Sequence, residues 1–198
     1  MLRLPLVLAA CLLTVTCSSA TLSTGRPQLA ARANPPSAGA EAIGELTPAP
    51  PLPDASPLRL LIPRISVDAT VEARGLDAQR NLATPGDFNN VAWFNQGPPP
   101  GGPGNAIING HVNWWTGSAV FTRLGEVKPG DRVTVVRRDG NPVNFRVSGV
   151  RTLAATARDA SLFAASSAST LTLITCSGPW DVALGTDAQR LLVTAALE

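Results

Sequence analysis

From Leu58 onward the chain reads as a mainly β domain, closed or nearly closed into a barrel. Three observations predict this class. Short alternating or β-branched runs recur, about eight of them in roughly 140 residues. Turn residues separate the runs, and Asp139-Gly140 between two of them is a strong hairpin signal, since both central residues tolerate positive φ. No long amphipathic helix and no internal repeat breaks the pattern.

The predicted strands, in chain order, are Arg59–Ile62, Ser66–Ala73, Val91–Phe94, Ala106–Ile108, Arg132–Arg138, Val143–Thr152, Thr170–Thr175 and Arg190–Ala195. Trp93 and Phe94 are adjacent on one strand, so they point to opposite faces and at least one is core. Gly97–Gly104 (GPPPGGPG) offers few side chains to pack and is a loop. Ser118–Leu124 and Asp159–Ala165 are the two stretches with a short helical pattern. Thr170–Thr175 is a strand by composition, and Ser177-Gly178-Pro179 reads as the turn that ends it.

The N-terminal part has a different character. In Met1–Ala20 one Arg precedes an apolar run, and no further charge occurs until Arg26. That is the layout of a signal peptide or an N-terminal membrane anchor, assigned to residues 1–22. The apolar core, Leu4–Cys17, is shorter than the roughly 20 residues of a comfortable membrane helix. Residues 23–57 are rich in Pro, Ala and Ser and bury too little apolar surface to order themselves, so they are expected as an extended linker. Residues 58–198 form the folded domain. The protein is expected outside the cytoplasm, anchored or secreted, and in single copy.

Charge excludes one broad class. Fifteen of the sixteen basic residues are Arg, but they are scattered, and the net charge is only +2. Nucleic-acid binders concentrate their basic residues on one face. A single His, with Asp and Glu out of ligand spacing, gives no pattern for a metal, and no cofactor is expected. Cys11 and Cys17 fall in the targeting segment, which leaves Cys176 alone in the domain. Exported cysteines normally pair. A lone one is either a small apolar packing residue or a reactive thiol.

Position favours reactivity. His111 ends a buried strand at a turn, Cys176 has the same setting, and Arg190 begins or nearly begins the last strand. A free thiol has a pKa of about 8.5, so it needs a base to become the nucleophilic thiolate near neutrality. An imidazole can take that proton and later return it to a leaving amine. A guanidinium stays charged and can hold a peptide carbonyl and the oxyanion that forms on attack. Each residue also has a plain alternative as a packing or rim side chain.

Several segments resemble the sortase family: Leu60–Ile65 (LLIPRI), Asn105–Val112 (NAIINGHV), Gly117–Leu124 (GSAVFTRL), Gly130–Val135 (GDRVTV) and Thr170–Cys176 (TLTLITC). Leu173-Ile-Thr-Cys176 matches the cysteine motif of that family, Gly110-His111 its histidine loop, and Arg190 falls where its last-strand arginine belongs. The resemblance spans the whole domain. It implies the eight-stranded sortase β-barrel with short helices. His111, Cys176 and Arg190 would be the catalytic residues. The implied activity is transpeptidation, through a thioacyl intermediate, of proteins bearing a Leu-Pro-x-Thr-Gly-like sorting signal. The acceptor would be a cell-surface amine such as a cell-wall precursor. The short Ser118–Leu124 helix and the Cys-Ser-Gly-Pro-Trp run look most like the single-domain class F (or class E) enzymes of high-GC bacteria. Thr186–Gln189 departs from the aromatic-rich approach to the last strand in class F.

Thr175, Trp114 and Trp180 are candidate substrate contacts: a hydroxyl beside the thiol and two aromatic walls. Two rival functions stand beside transpeptidation. One is the same site acting mainly as an endopeptidase, with water as acceptor. The other is a non-catalytic surface barrel that binds peptides or wall polymers, with Cys176 as packing.

Overall fold

Inward-facing Val, Ile, Leu and Phe at alternate positions make the strands of a closed barrel, and the turns between them decide which edges meet. The computed structural model describes residues 54–114 and 117–198, with Trp114 described through its backbone alone. The chain divides into two units, Met1–Pro48 and Ala49–Glu198, and every described residue belongs to the second. The expected targeting segment and nearly all of the expected linker lie outside the described residues. Among those described, no helix is long and apolar enough to cross a membrane.

Ten strands are described: β1 (Pro57–Ile62), β2 (Val67–Arg74), β3 (Val91–Phe94), β4 (Gly104–Asn109), β5 (Asn113–Trp114), β6 (Gly117–Ser118), β7 (Arg132–Arg137), β8 (Pro142–Ala154), β9 (Ser169–Asp181) and β10 (Thr186–Leu197). Eight of them close the barrel in the order β1-β2-β3-β4-β9-β10-β8-β7, and β5 pairs with β6 in a separate small hairpin. Neighbours run antiparallel except β2 with β3 and β4 with β9, which are parallel. The barrel interior is filled by Leu60, Ile108, Phe121, Phe145, Leu173 and Val193 among others. As the strand pattern required, Trp93 is core while Phe94 lies on the other face, edge-on to Phe163.

All eight predicted strands are present, but four local expectations need correction. Ser118–Leu124 is not a helix. Its residues form β6, turns and the start of a 3-10 turn at Leu124–Glu126, and Phe121 and Leu124 enter the core from this irregular backbone. The second helical stretch shrinks to a 3-10 turn, Ala160–Phe163, started by the Asp159 side chain accepting from the Ser161 N–H. Asp139-Gly140 does lie in the β7–β8 hairpin, yet only Gly140 has positive φ. The Gly140 N–H donates to Arg137 O and the Arg137 N–H to Asn141 O, so this is a longer loop than the two-residue turn expected. Finally, Ser177-Gly178-Pro179 is not a turn. β9 runs on through it, two of its residues opposing Ala188 in a bulge, and the chain reverses only at Val182–Gly185.

β1 starts at Pro57, and the backbone just before it is already paired. Asp54 O and Ser56 O accept from the N–H groups of Asp139 and Arg138.

Candidate active site

The parallel pairing of β4 with β9 sets the geometry. Gly104 lies opposite Ser169 and Asn109 opposite Ile174, with one 65-residue offset throughout. Past the end of β4 the chain keeps this line. The Gly110 N–H donates to Ile174 O at 3.1 Å, and Thr175 Oγ1 donates to Gly110 O at 2.8 Å. The same offset brings His111 level with Cys176. On the other side of β9, Arg190 is the cross-strand partner of Cys176. Three adjacent chain segments therefore present imidazole, thiol and guanidinium in one row.

Alternation gives that row its face. Leu171 and Leu173 are core and Thr175 is buried, so Cys176 points outward. Ala106 and Ile108 are core, which turns Asn109 outward, and His111 follows two residues later with its ring on Phe88. Val193 is core and Leu191 packs against it, which turns Arg190 outward. All three site residues are half-buried. Gly110 is required at the bend before His111, because a Cβ there would sit 2.8 Å from the side chains of Val120 and Phe121.

Each side chain has its own support. His111 Nε2 lies 3.2 Å from Pro85 O, and its ring packs on Phe88 with centroids 4.3 Å apart. Arg190 Nη1 donates to Asp187 O and Gln189 O, and Nη2 to Thr186 Oγ1. Cys176 is an unpaired thiol. Among the described residues no hydrogen bond joins the three directly; such bonds often tighten only when a substrate is bound. Cys176 sits mid-strand and Arg190 is five residues into β10, because the hairpin arm continues past both. The expectation that each ends or begins its strand is thus corrected.

The remaining predicted residues fall in different places. Thr175 is 3% exposed, and its hydroxyl ties β9 to Gly110. Trp180 stands on the hairpin arm, 64% exposed, opposite Asp187. Trp114 is on β5, and its side chain lies outside the described part. Sequence reasoning missed Thr186 and the whole support of His111, namely Pro85, Phe88 and the residues that fasten them. Pro85-Gly86-Asp87 carries a turn signal, but nothing local marks it as a neighbour of the histidine. A cleft of about 310 Å³ opens beside the first half of β4, lined by Phe94, Pro98, Ile107, Leu162 and Phe163 among others. Among the described residues no three His, Cys, Asp or Glu gather as metal ligands. The row suits acyl transfer: a nucleophile, an acid–base group and a fixed cation within one short stretch of sheet.

The comparisons agree with the barrel. A family model described as the sortase domain matches residues 60–198. Among solved structures, sortase C1 of the group B Streptococcus pilus island 1 shares the fold with a TM-score of 0.55 and 24% identity. That match covers 71% of this chain and 64% of that one, so the chain spans less than two thirds of the length of that relative. Sortase C-1 from Actinomyces oris has a TM-score of 0.56 and 24% identity, over 71% of this chain and 72% of its own. For sortase A from Corynebacterium diphtheriae the values are 0.56 and 21%, over 73% and 61%. No curated protein matches the sequence. With the family model matching all of the barrel but the first three residues of β1, the chain belongs to the sortase family.

Proposed function

We propose that the chain is an extracytoplasmic cysteine transpeptidase that joins proteins to a cell-surface amine. The observation that carries this is the single row of His111, just past β4, with Cys176 on β9 and Arg190 on β10. In this reading the Cys176 thiolate attacks the carbonyl before the scissile bond of a Leu-Pro-x-Thr-Gly-like signal. The C–N bond breaks, and His111 gives its proton to the departing amine, leaving a thioester on Cys176. An acceptor amine then attacks the thioester, passes a proton to His111 and releases the thiolate. Arg190 holds the carbonyl oxygen as negative charge develops on it. Thr175 acts from behind the sheet by fixing the strand that bears the thiol, while Trp114 and Trp180 offer aromatic walls to the peptide. Residues 1–22 would target or anchor the chain, residues 23–57 would hold the domain away from the membrane, and residues 58–198 would act on substrate.

Sorting-signal peptides incubated with and without amine acceptors, and read by mass spectrometry, test the reading. A peptidyl adduct on Cys176 and exchange of the C-terminal glycyl part for the added amine are expected. Cleavage retained by a folded Cys176→Ala variant overturns it. Hydrolysis with no amine product in any mixture identifies an endopeptidase instead, and failure of Cys176 to react with a small thiol reagent points to a binding module.

A further inference from the structure

We propose that Glu72 is a positioning residue for His111, acting through the Pro85–Asn90 segment. This rests on reading His111 as the acid–base group of the site.

Pro85 O can only accept a hydrogen bond, so the ring nitrogen 3.2 Å away, Nε2, carries the hydrogen. In the neutral ring the basic lone pair then belongs to Nδ1. The orientation of the imidazole is therefore set by where Pro85 O and the Phe88 ring stand. Both belong to a stretch between β2 and β3 that has no strand ladder of its own. Glu72 on β2 ties that stretch to the barrel. Its Oε2 accepts from the Gly86 N–H at 3.0 Å, and its Oε1 accepts from Asn90 Nδ2 at 2.9 Å and the Asp87 N–H at 3.4 Å. Arg74, two residues on, donates to the same carboxylate from Nε at 3.0 Å and Nη2 at 2.5 Å. The anchor belongs to the barrel wall, because Glu72 is laddered to Ala92 of β3 while the first half of β2 is laddered to β1. The anchored donors follow Pro85 and flank Phe88 in sequence: Gly86 and Asp87 before it, Asn90 beyond. These donors also hold the Glu72 carboxyl at about 2, Asn90 first and Gly86 next, so the group stays an ionised acceptor. A carboxylate on a barrel strand thus fixes the loop that fixes the ring, although it is 39 positions earlier in the chain than His111.

The chain has one histidine, so its ring signals are assigned without ambiguity. The full chain, labelled with 15N-histidine, is compared by NMR with Glu72→Ala and Glu72→Gln. In the wild type the Nε2–H proton should be visible and slow to exchange, and the ring protons shifted by the Phe88 ring. Glu72→Ala should lose the protected Nε2–H signal and move the ring protons toward free-histidine positions, while the barrel amides stay in place. Glu72→Gln keeps an acceptor oxygen and should fall between the two. On a cleavable sorting peptide, kcat should drop by up to about 100-fold in Glu72→Ala with KM little changed, as expected for a misplaced catalytic group. A carboxylate with only a structural part would lower the melting temperature and leave the histidine signals alone. Unchanged histidine signals in the folded variants overturn the proposal; if Glu72→Ala fails to fold, Glu72→Gln alone decides it. The NMR result does not depend on cleavage, so it can fail while the transpeptidase reading stands, and the reverse.

Discussion

Arg190 is the direct cross-strand partner of Cys176 on β10, yet its guanidinium is bonded to Thr186, Asp187 and Gln189 on its own strand. The backbone register places the cation beside the thiol, and the hairpin arm beyond them aims it. That arm, residues 177–189, is a working part of the site in this reading, because it supplies the acceptors that orient the only cation in the row.

If Arg190 holds the oxyanion in two-pronged fashion, charge alone will not replace it. Arg190→Lys keeps the charge and loses the planar fork. Steady-state kinetics on a sorting peptide should show turnover reduced by about 100- to 1,000-fold for Lys and for Ala, with most of the loss in kcat. Near-normal kcat in either variant removes Arg190 from the chemistry.

Thr186 should matter through Arg190 alone. Thr186→Val keeps the shape and removes the acceptor 3.1 Å from Nη2. A hydrogen bond to a charged group contributes about 1.5–3 kcal/mol, and the half-exposed setting reduces that, so a loss of up to about tenfold in kcat is expected. The effect should vanish in an Arg190→Lys background, where the fork is already gone. Additive losses in the double variant would show that Thr186 acts by another route.

The buried Thr175 hydroxyl joins the strand that bears Cys176 to the segment that bears His111. Thr175→Val leaves Gly110 O short of a partner in a site only 3% exposed, at a cost of about 1–3 kcal/mol. Thermal unfolding should shift down by several degrees, and peptide cleavage should fall with it. An unchanged melting temperature would mean that Gly110 O finds another donor.

Acid should loosen the Pro85–Asn90 segment. The folded-state value of Glu72, about 2, lies below the ordinary 4.5, with the Asn90 amide as the main cause and the Gly86 N–H next. The stability it contributes is complete above pH 4.5 and is lost as pH falls through 2. Asp54, Glu126, Asp139 and Asp159 are also lowered by their hydrogen-bond partners, so they too contribute less as pH falls. The Glu72 share is isolated by comparing urea midpoints of the wild type and Glu72→Gln at several pH values. The difference between them should shrink from pH 4.5 to 2, and a constant difference would contradict the assignment.

The chemical inventory was legible in the sequence because it rests on residue identity. One histidine, one cysteine beyond residue 22 and one arginine after it left little choice, and β-branched alternation located every strand of the barrel. Local signals failed where backbone and burial part company. Val120, Phe121 and Leu124 have helical spacing, yet they pack into or against the core from turns and a 3-10 turn, so their burial does not require a helix. Gly178-Pro179 resembles a turn, but pairing with β10 on the far side of the bulge outweighs that preference.

Only the tertiary structure decided which segments became neighbours. The parallel register of β4 with β9 joins positions 65 residues apart, and the hold of Glu72 on Asn90 spans 18 positions. Hydrogen-bond ladders between distant strands leave no trace in the residues immediately around them. A sequence can therefore declare a thiol, an imidazole and a guanidinium, while their common row exists only once the barrel closes.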